Sequence, residues 1–99
     1  MRYTLRYLPK VEEDVRHLAP DLKKIIHSAL DELSQNPQSG TPLKRELGGF
    51  WKYRAKRYRI IYEIHSQDKE MVVFLIDERQ SVYDRLREIL KNRLRSGRK

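Results

Sequence analysis

The chain has no cysteine, so no disulfide braces it and packing alone must hold its fold. It also lacks a long apolar run. The longest, Met71-Val-Val-Phe-Leu-Ile76, falls far short of the ~20 residues that span a bilayer, which excludes a membrane helix. Residues 1–10 hold no apolar segment and no small-residue cleavage site, so no export is expected and a cytoplasmic location is. Glycine is scarce: three of the four glycines lie within residues 37–49 beside two of the four prolines, which marks one loop. No repeat, low-complexity stretch or break in composition divides the chain. One domain over residues 1–99 is therefore expected, ending in a basic tail at 91–99.

What the chain has in quantity is charge. Charged residues make up 36% of it, against roughly 25% in an average globular domain, so the core is thin and the surface ionic. The net charge is +8, and it is unevenly placed. Residues 1–49 carry eight Lys/Arg and seven Asp/Glu, whereas residues 50–99 carry fourteen against seven. Positive charge gathered in one half is the footprint of a protein that binds nucleic acid or an acidic protein.

Period-two alternation puts Tyr3, Leu5 and Tyr7 on one side of residues 2–8 and reads as a strand. Pro9 then opens a short helix, with Glu12, Glu13 and Asp14 near the positive end of its dipole and Val11, Val15, Leu18 and Ala19 on one face. Pro20 ends it, because the residue before a proline is pushed out of helical angles. Leu22, Ile25, Ile26, Ala29, Leu30 and Leu33 form the stripe of a second helix that stops before Asn36-Pro37. β-formers dominate 50–55, 57–65 and 71–77, an antiparallel meander. Val82, Leu86, Ile89, Leu90 and Leu94 then recur at helical spacing, with Ser81 as N-cap. The order β-α-α-β-β-β-α is an α+β fold: an antiparallel sheet, two N-terminal helices packed on one face, and a C-terminal helix.

Alternation also sorts the meander. Trp51, Tyr53, Ala55, Tyr58, Ile60, Tyr62 and Ile64 suit packing against helices, while Lys52, Arg54, Lys56, Arg57 and Arg59 share the other side. Like charges opposed across strands destabilise a sheet, so this crowding asks for a polyanion.

The runs Gly40-Thr-Pro-Leu43, Leu47-Gly-Gly-Phe-Trp-Lys-Tyr-Arg54, Tyr58-Arg-Ile-Ile-Tyr62, Val72-Val-Phe-Leu-Ile76 and Arg79-Gln-Ser-Val-Tyr83 resemble the RelE/ParE superfamily of toxins from toxin-antitoxin modules. RelE-type members are ribosome-dependent ribonucleases that cut mRNA in the decoding site; ParE-type members share the fold but poison DNA gyrase. The resemblance implies catalytic roles for Lys52, Arg54, Arg59, Arg79 and Tyr83, with mRNA and the ribosome as partners. Lys56 and Arg57 are expected to add RNA contacts. Some members carry histidine just before the arginine matched by Arg79, where this chain has Glu78. The resemblance also implies a cognate antitoxin, whose acidic, amphipathic segment would lie over the sheet or displace the C-terminal helix.

Metal-free RNA cleavage needs a base for the 2′-hydroxyl, charge stabilisation at phosphorus and an acid for the leaving oxygen, usually from paired histidines. His17 and His27 sit on the early helices and His65 ends a strand, so no pair converges and all three read as structural. Lys52 is then the candidate base, because neighbouring positive charges disfavour its protonated form. Arg54 and Arg59 would hold the phosphate, Arg79 would stabilise transition-state charge, and Tyr83 would orient or stack on a substrate base. No cofactor is expected, and without cysteines, His-x-x-x-His or a carboxylate cluster on the basic side, no metal is either. The reading is a metal-independent endoribonuclease that inhibits translation; the alternatives are a gyrase inhibitor of the ParE kind and an RNA-binding module without catalysis.

Overall fold

The computed structural model describes residues 2–78 and 81–97. Strand β1 (Thr4–Tyr7) leads into α1 (Pro9–Arg16) and α2 (Pro20–Gln35). Each helix starts on a proline preceded by an extended residue, Leu8 at ψ 147 and Ala19 at ψ 151, with no side-chain cap. Proline serves instead: its ring fixes a helical φ and its missing N–H removes one donor that the first turn would leave unpaired. Val11 and Val15 on α1, and Ile26, Ala29, Leu30 and Leu33 on α2, are buried, as their spacing requires.

The sheet has the order β1-β5-β4-β3-β2, with β2 at Thr41–Pro42, β3 at Phe50–Ala55, β4 at Tyr58–His65 and β5 at Glu70–Asp77. The meander is antiparallel as expected, but β1 joins the far side of β5 in parallel, Leu5 opposite Met71 and Tyr7 opposite Val73. Strand β2 and the one-turn helices Pro37–Ser39 and Arg45–Leu47 fall inside the stretch that composition marks as loop.

Two apolar layers form, one on each side of the sheet. Ala55, Tyr58, Ile60, Tyr62, Met71, Val73 and Ile76 pack with α1 and α2, with Trp51 at the margin stacked on Tyr62 at 6.4 Å. On the opposite face Phe50, Ile61, Phe74 and Leu75 pack under Val82 and Leu86 of α3 (Val82–Gly97). Helix α3 therefore lies across the sheet from the other two. Its first hydrogen bond, from the Arg85 N–H to the Ser81 carbonyl at 3.0 Å, puts Ser81 where a cap belongs. It also extends through residues 91–97, so most of the expected tail is helical. Burying Val82 and Leu86 contributes about 1.5–3 kcal/mol each to holding it.

An irregularity makes the second layer. Ile61 pairs with Leu75 and Tyr62 with Val73, which leaves Phe74 as an extra residue on β5. This bulge turns both Phe74 and Leu75 toward α3, where the Phe74 ring meets Phe50 edge-on at 4.9 Å.

Candidate RNA-binding cleft

Helix α3 covers only part of its face of the sheet, and beside it runs the basic strip. The β3–β4 register sets Arg54 directly opposite Arg59 and Lys52 opposite Ile61. Repulsion between the facing guanidiniums is relieved by turning each to a carbonyl: Arg54 Nε donates to Lys56 O at 3.0 Å and Arg59 Nη1 to Glu78 O at 3.3 Å. A guanidinium has five N–H groups, so both keep donors for a ligand. Lys52, Arg54 and Arg59 line a cleft of about 200 Å3 with Thr41 and Tyr53.

Tyr83 reaches the cleft from the first turn of α3. Lys52 Nζ donates to its hydroxyl at 3.1 Å and lies over the ring, 5.7 Å from its centroid. The ring itself packs half-buried against the α3 layer. Lys52, Arg54, Arg59 and Tyr83 are thus brought together, while Arg79 lies outside the described residues.

Lys56 and Arg57 depart from the expected sheet face, because they form the two-residue turn between β3 and β4. Lys56 has φ +58 there, a conformation that glycine adopts more readily. Arg57 pairs with Glu78 at 3.1 Å. The three histidines stay apart from the cleft: His17 Nδ1 donates to Glu13 O at 2.8 Å, His27 is exposed on α2, and His65 Nε2 meets Glu63 Oε1 at 3.0 Å.

Sequence reasoning missed two contributors. Asp77 stands opposite Arg59 on β5 and accepts an ion pair from Arg85 of α3, so the strip is not uniformly basic. Thr41 comes from a two-residue strand, too short to show any period. Its signal is Gly40 just before it, where a Cβ would collide with the Tyr62 hydroxyl and the Lys52 carbonyl. Only glycine lets β2 approach this closely.

A family model described as the ParE toxin of the type II toxin-antitoxin system parDE matches residues 5–83. The chain is 33% identical over 87 residues to Toxin RelG of Mycobacterium tuberculosis, a match covering 86% of this chain and 100% of that protein. The chain belongs to the RelE/ParE family of type II toxins. Among solved structures of RelE-named toxin systems, it is similar to a chain of the toxin-antitoxin complex RelBE2 from Mycobacterium tuberculosis, at TM-score 0.71 and 31% identity, over 80% of this chain and 100% of that one. It shares its fold with a chain of the intact Escherichia coli RelBE complex, at TM-score 0.68 and 16% identity, over 79% and 98%. The RelE/ParE family match takes in every cleft residue from Thr41 to Tyr83 and ends where α3 begins.

Proposed function

We propose that this toxin is a metal-independent endoribonuclease that cuts mRNA at the ribosome and so stops translation. The gathering of Lys52, Arg54 and Arg59 on one cleft, with Tyr83 bonded to Lys52, carries the reading. Arg54 and Arg59 hold the scissile phosphate through charge-assisted hydrogen bonds. Lys52, its Nζ fixed by Tyr83, takes the proton of the 2′-hydroxyl. The freed oxygen attacks phosphorus, the bond to the 5′-oxygen breaks as that oxygen takes a proton from water, and a 2′,3′-cyclic phosphate and a 5′-hydroxyl form. Charge gathers on the phosphoryl oxygens during attack, where the two guanidiniums stabilise it most. Arg79, which the family resemblance matches to a catalytic arginine, would add to that stabilisation. Asp77 and Glu78 beside the cleft are engaged by Arg85 and Arg57.

The solved relatives include toxin-antitoxin complexes. For this chain we infer an antitoxin with an acidic, amphipathic segment that covers the basic strip. A second reading, gyrase inhibition without catalysis, has its support in the ParE description of the matching family model. In vitro translation with primer extension on a reporter mRNA, run beside a gyrase supercoiling assay, separates the two. Cleavage within translated mRNA and unaffected supercoiling support the ribonuclease; intact mRNA with inhibited supercoiling reverses the choice.

A further inference from the structure

The cleft is open on one side. Strand β2 pairs only with Trp51 and Lys52, so among the described residues Tyr53, Arg54 and Ala55 have no strand neighbour along that edge of β3. Beyond the edge lies a groove of about 570 Å3 between β3 and α2, bordered by Lys24, Ser28, Glu32, Tyr53, Arg54 and Lys56. Tyr53 and Arg54 line both spaces, so the groove on the α2 side and the cleft on the α3 side meet at the open edge of β3. Its charge is net positive: Lys24, Arg54 and Lys56 stand against one carboxylate, Glu32, which accepts a hydrogen bond from the Tyr53 hydroxyl at 3.0 Å.

Lys56 stands at the groove's end in the β3–β4 turn, at φ +58, a conformation that Arg45 and Lys69 share in other turns.

We propose that this groove is the track for the single-stranded RNA flanking the scissile phosphate, with Lys24 and Lys56 contacting its phosphates and Tyr53 standing where the strand leaves the cleft. The proposal rests on the ribonuclease reading of the cleft and extends it to α2. Lys24 and Lys56 are positioning residues in this scheme and touch no reacting atom.

Equilibrium binding of uncleavable 2′-O-methyl RNA tests it, using oligonucleotides of about four and about twelve nucleotides, within the range of single-strand site sizes. Fluorescence anisotropy is followed through a salt series for wild type, Lys24→Gln, Lys56→Gly and Arg59→Ala. Each groove variant should bind the longer RNA about fivefold more weakly near 0.1 M salt, with a log–log salt slope shallower by about 0.7. Both should bind the shorter RNA as wild type does. Lys56→Gly should melt no lower than wild type, so its weaker binding cannot reflect a lost fold. Groove variants with wild-type affinity and slope on the longer RNA overturn the track alone. A wild type that binds neither RNA, or an Arg59→Ala variant that binds the shorter one undiminished, overturns the cleft reading and the track with it.

Discussion

Lys52 on β3 and Tyr83 on α3 are joined at 3.1 Å, a contact through which the C-terminal helix reaches the basic strip. Because the Tyr83 ring packs in the α3 layer while its hydroxyl bonds Lys52 Nζ, the two parts of the side chain can be tested separately. Tyr83→Phe keeps the packing and removes the bond. A hydrogen bond that orients the amine is worth about 0.5–1.5 kcal/mol, so single-turnover cleavage should fall by roughly twofold to tenfold, with little change in melting temperature. An unchanged rate would show that the bond does not position Lys52 for chemistry.

Arg59 is the better placed of the two guanidiniums, being half-buried with Asp77 on one flank and Arg54 on the other. Arg59→Ala should slow cleavage by well over tenfold, since a contact made to developing charge is worth several kcal/mol. Its unfolding midpoint in urea should move little, because cations on a solvent-facing strand stabilise little.

Much of this architecture is legible in the sequence, and the failures are physical. Alternation in residues 50–64 places Lys52, Arg54 and Arg59 on one side because polar and apolar residues take turns there. In Met71–Ile76 every residue is apolar, so nothing marks where the bulge turns Phe74 and Leu75 the same way. That bulge adds Leu75 to the layer on which α3 packs. The parallel pairing of β1 with β5 joins segments more than sixty residues apart, a relation that no local pattern encodes. Asp77 comes to face Arg59 for the same reason: the partner is set by register between strands rather than by spacing along one.

Gly40 couples stability to the cleft. A methyl group there would strike the Tyr62 hydroxyl and the Lys52 carbonyl, and backbone cannot yield as a side-chain end can. Gly40→Ala should destabilise the protein by about 1–3 kcal/mol, as overpacking does, and should lower activity through the displaced Lys52. Urea unfolding and cleavage assays on one preparation check both effects.

The Tyr62 hydroxyl donates to the Pro37 carbonyl at 2.6 Å, and burial pushes its pKa up to about 12 from the ordinary 10.0. Between those values the unfolded chain releases a proton that the folded chain keeps. The associated stability is complete below the unfolded value and is lost as pH rises toward the folded one. Burial pushes Tyr7 and Tyr53 in the same direction, so unfolding free energy should decline with pH in this alkaline window. Tyr62→Phe should flatten the decline and cost about 1–3 kcal/mol at neutral pH, from the orphaned carbonyl. Denaturant titrations at stepped pH measure both.

The most direct test of the central claim is end-group analysis of mRNA recovered from translating ribosomes exposed to the toxin. Attack by the 2′-hydroxyl within the Lys52–Arg59 cleft predicts upstream fragments ending in a 2′,3′-cyclic phosphate and downstream fragments beginning with a 5′-hydroxyl, both absent with Arg59→Ala. Intact mRNA, or fragments bearing 5′-phosphates, would contradict it.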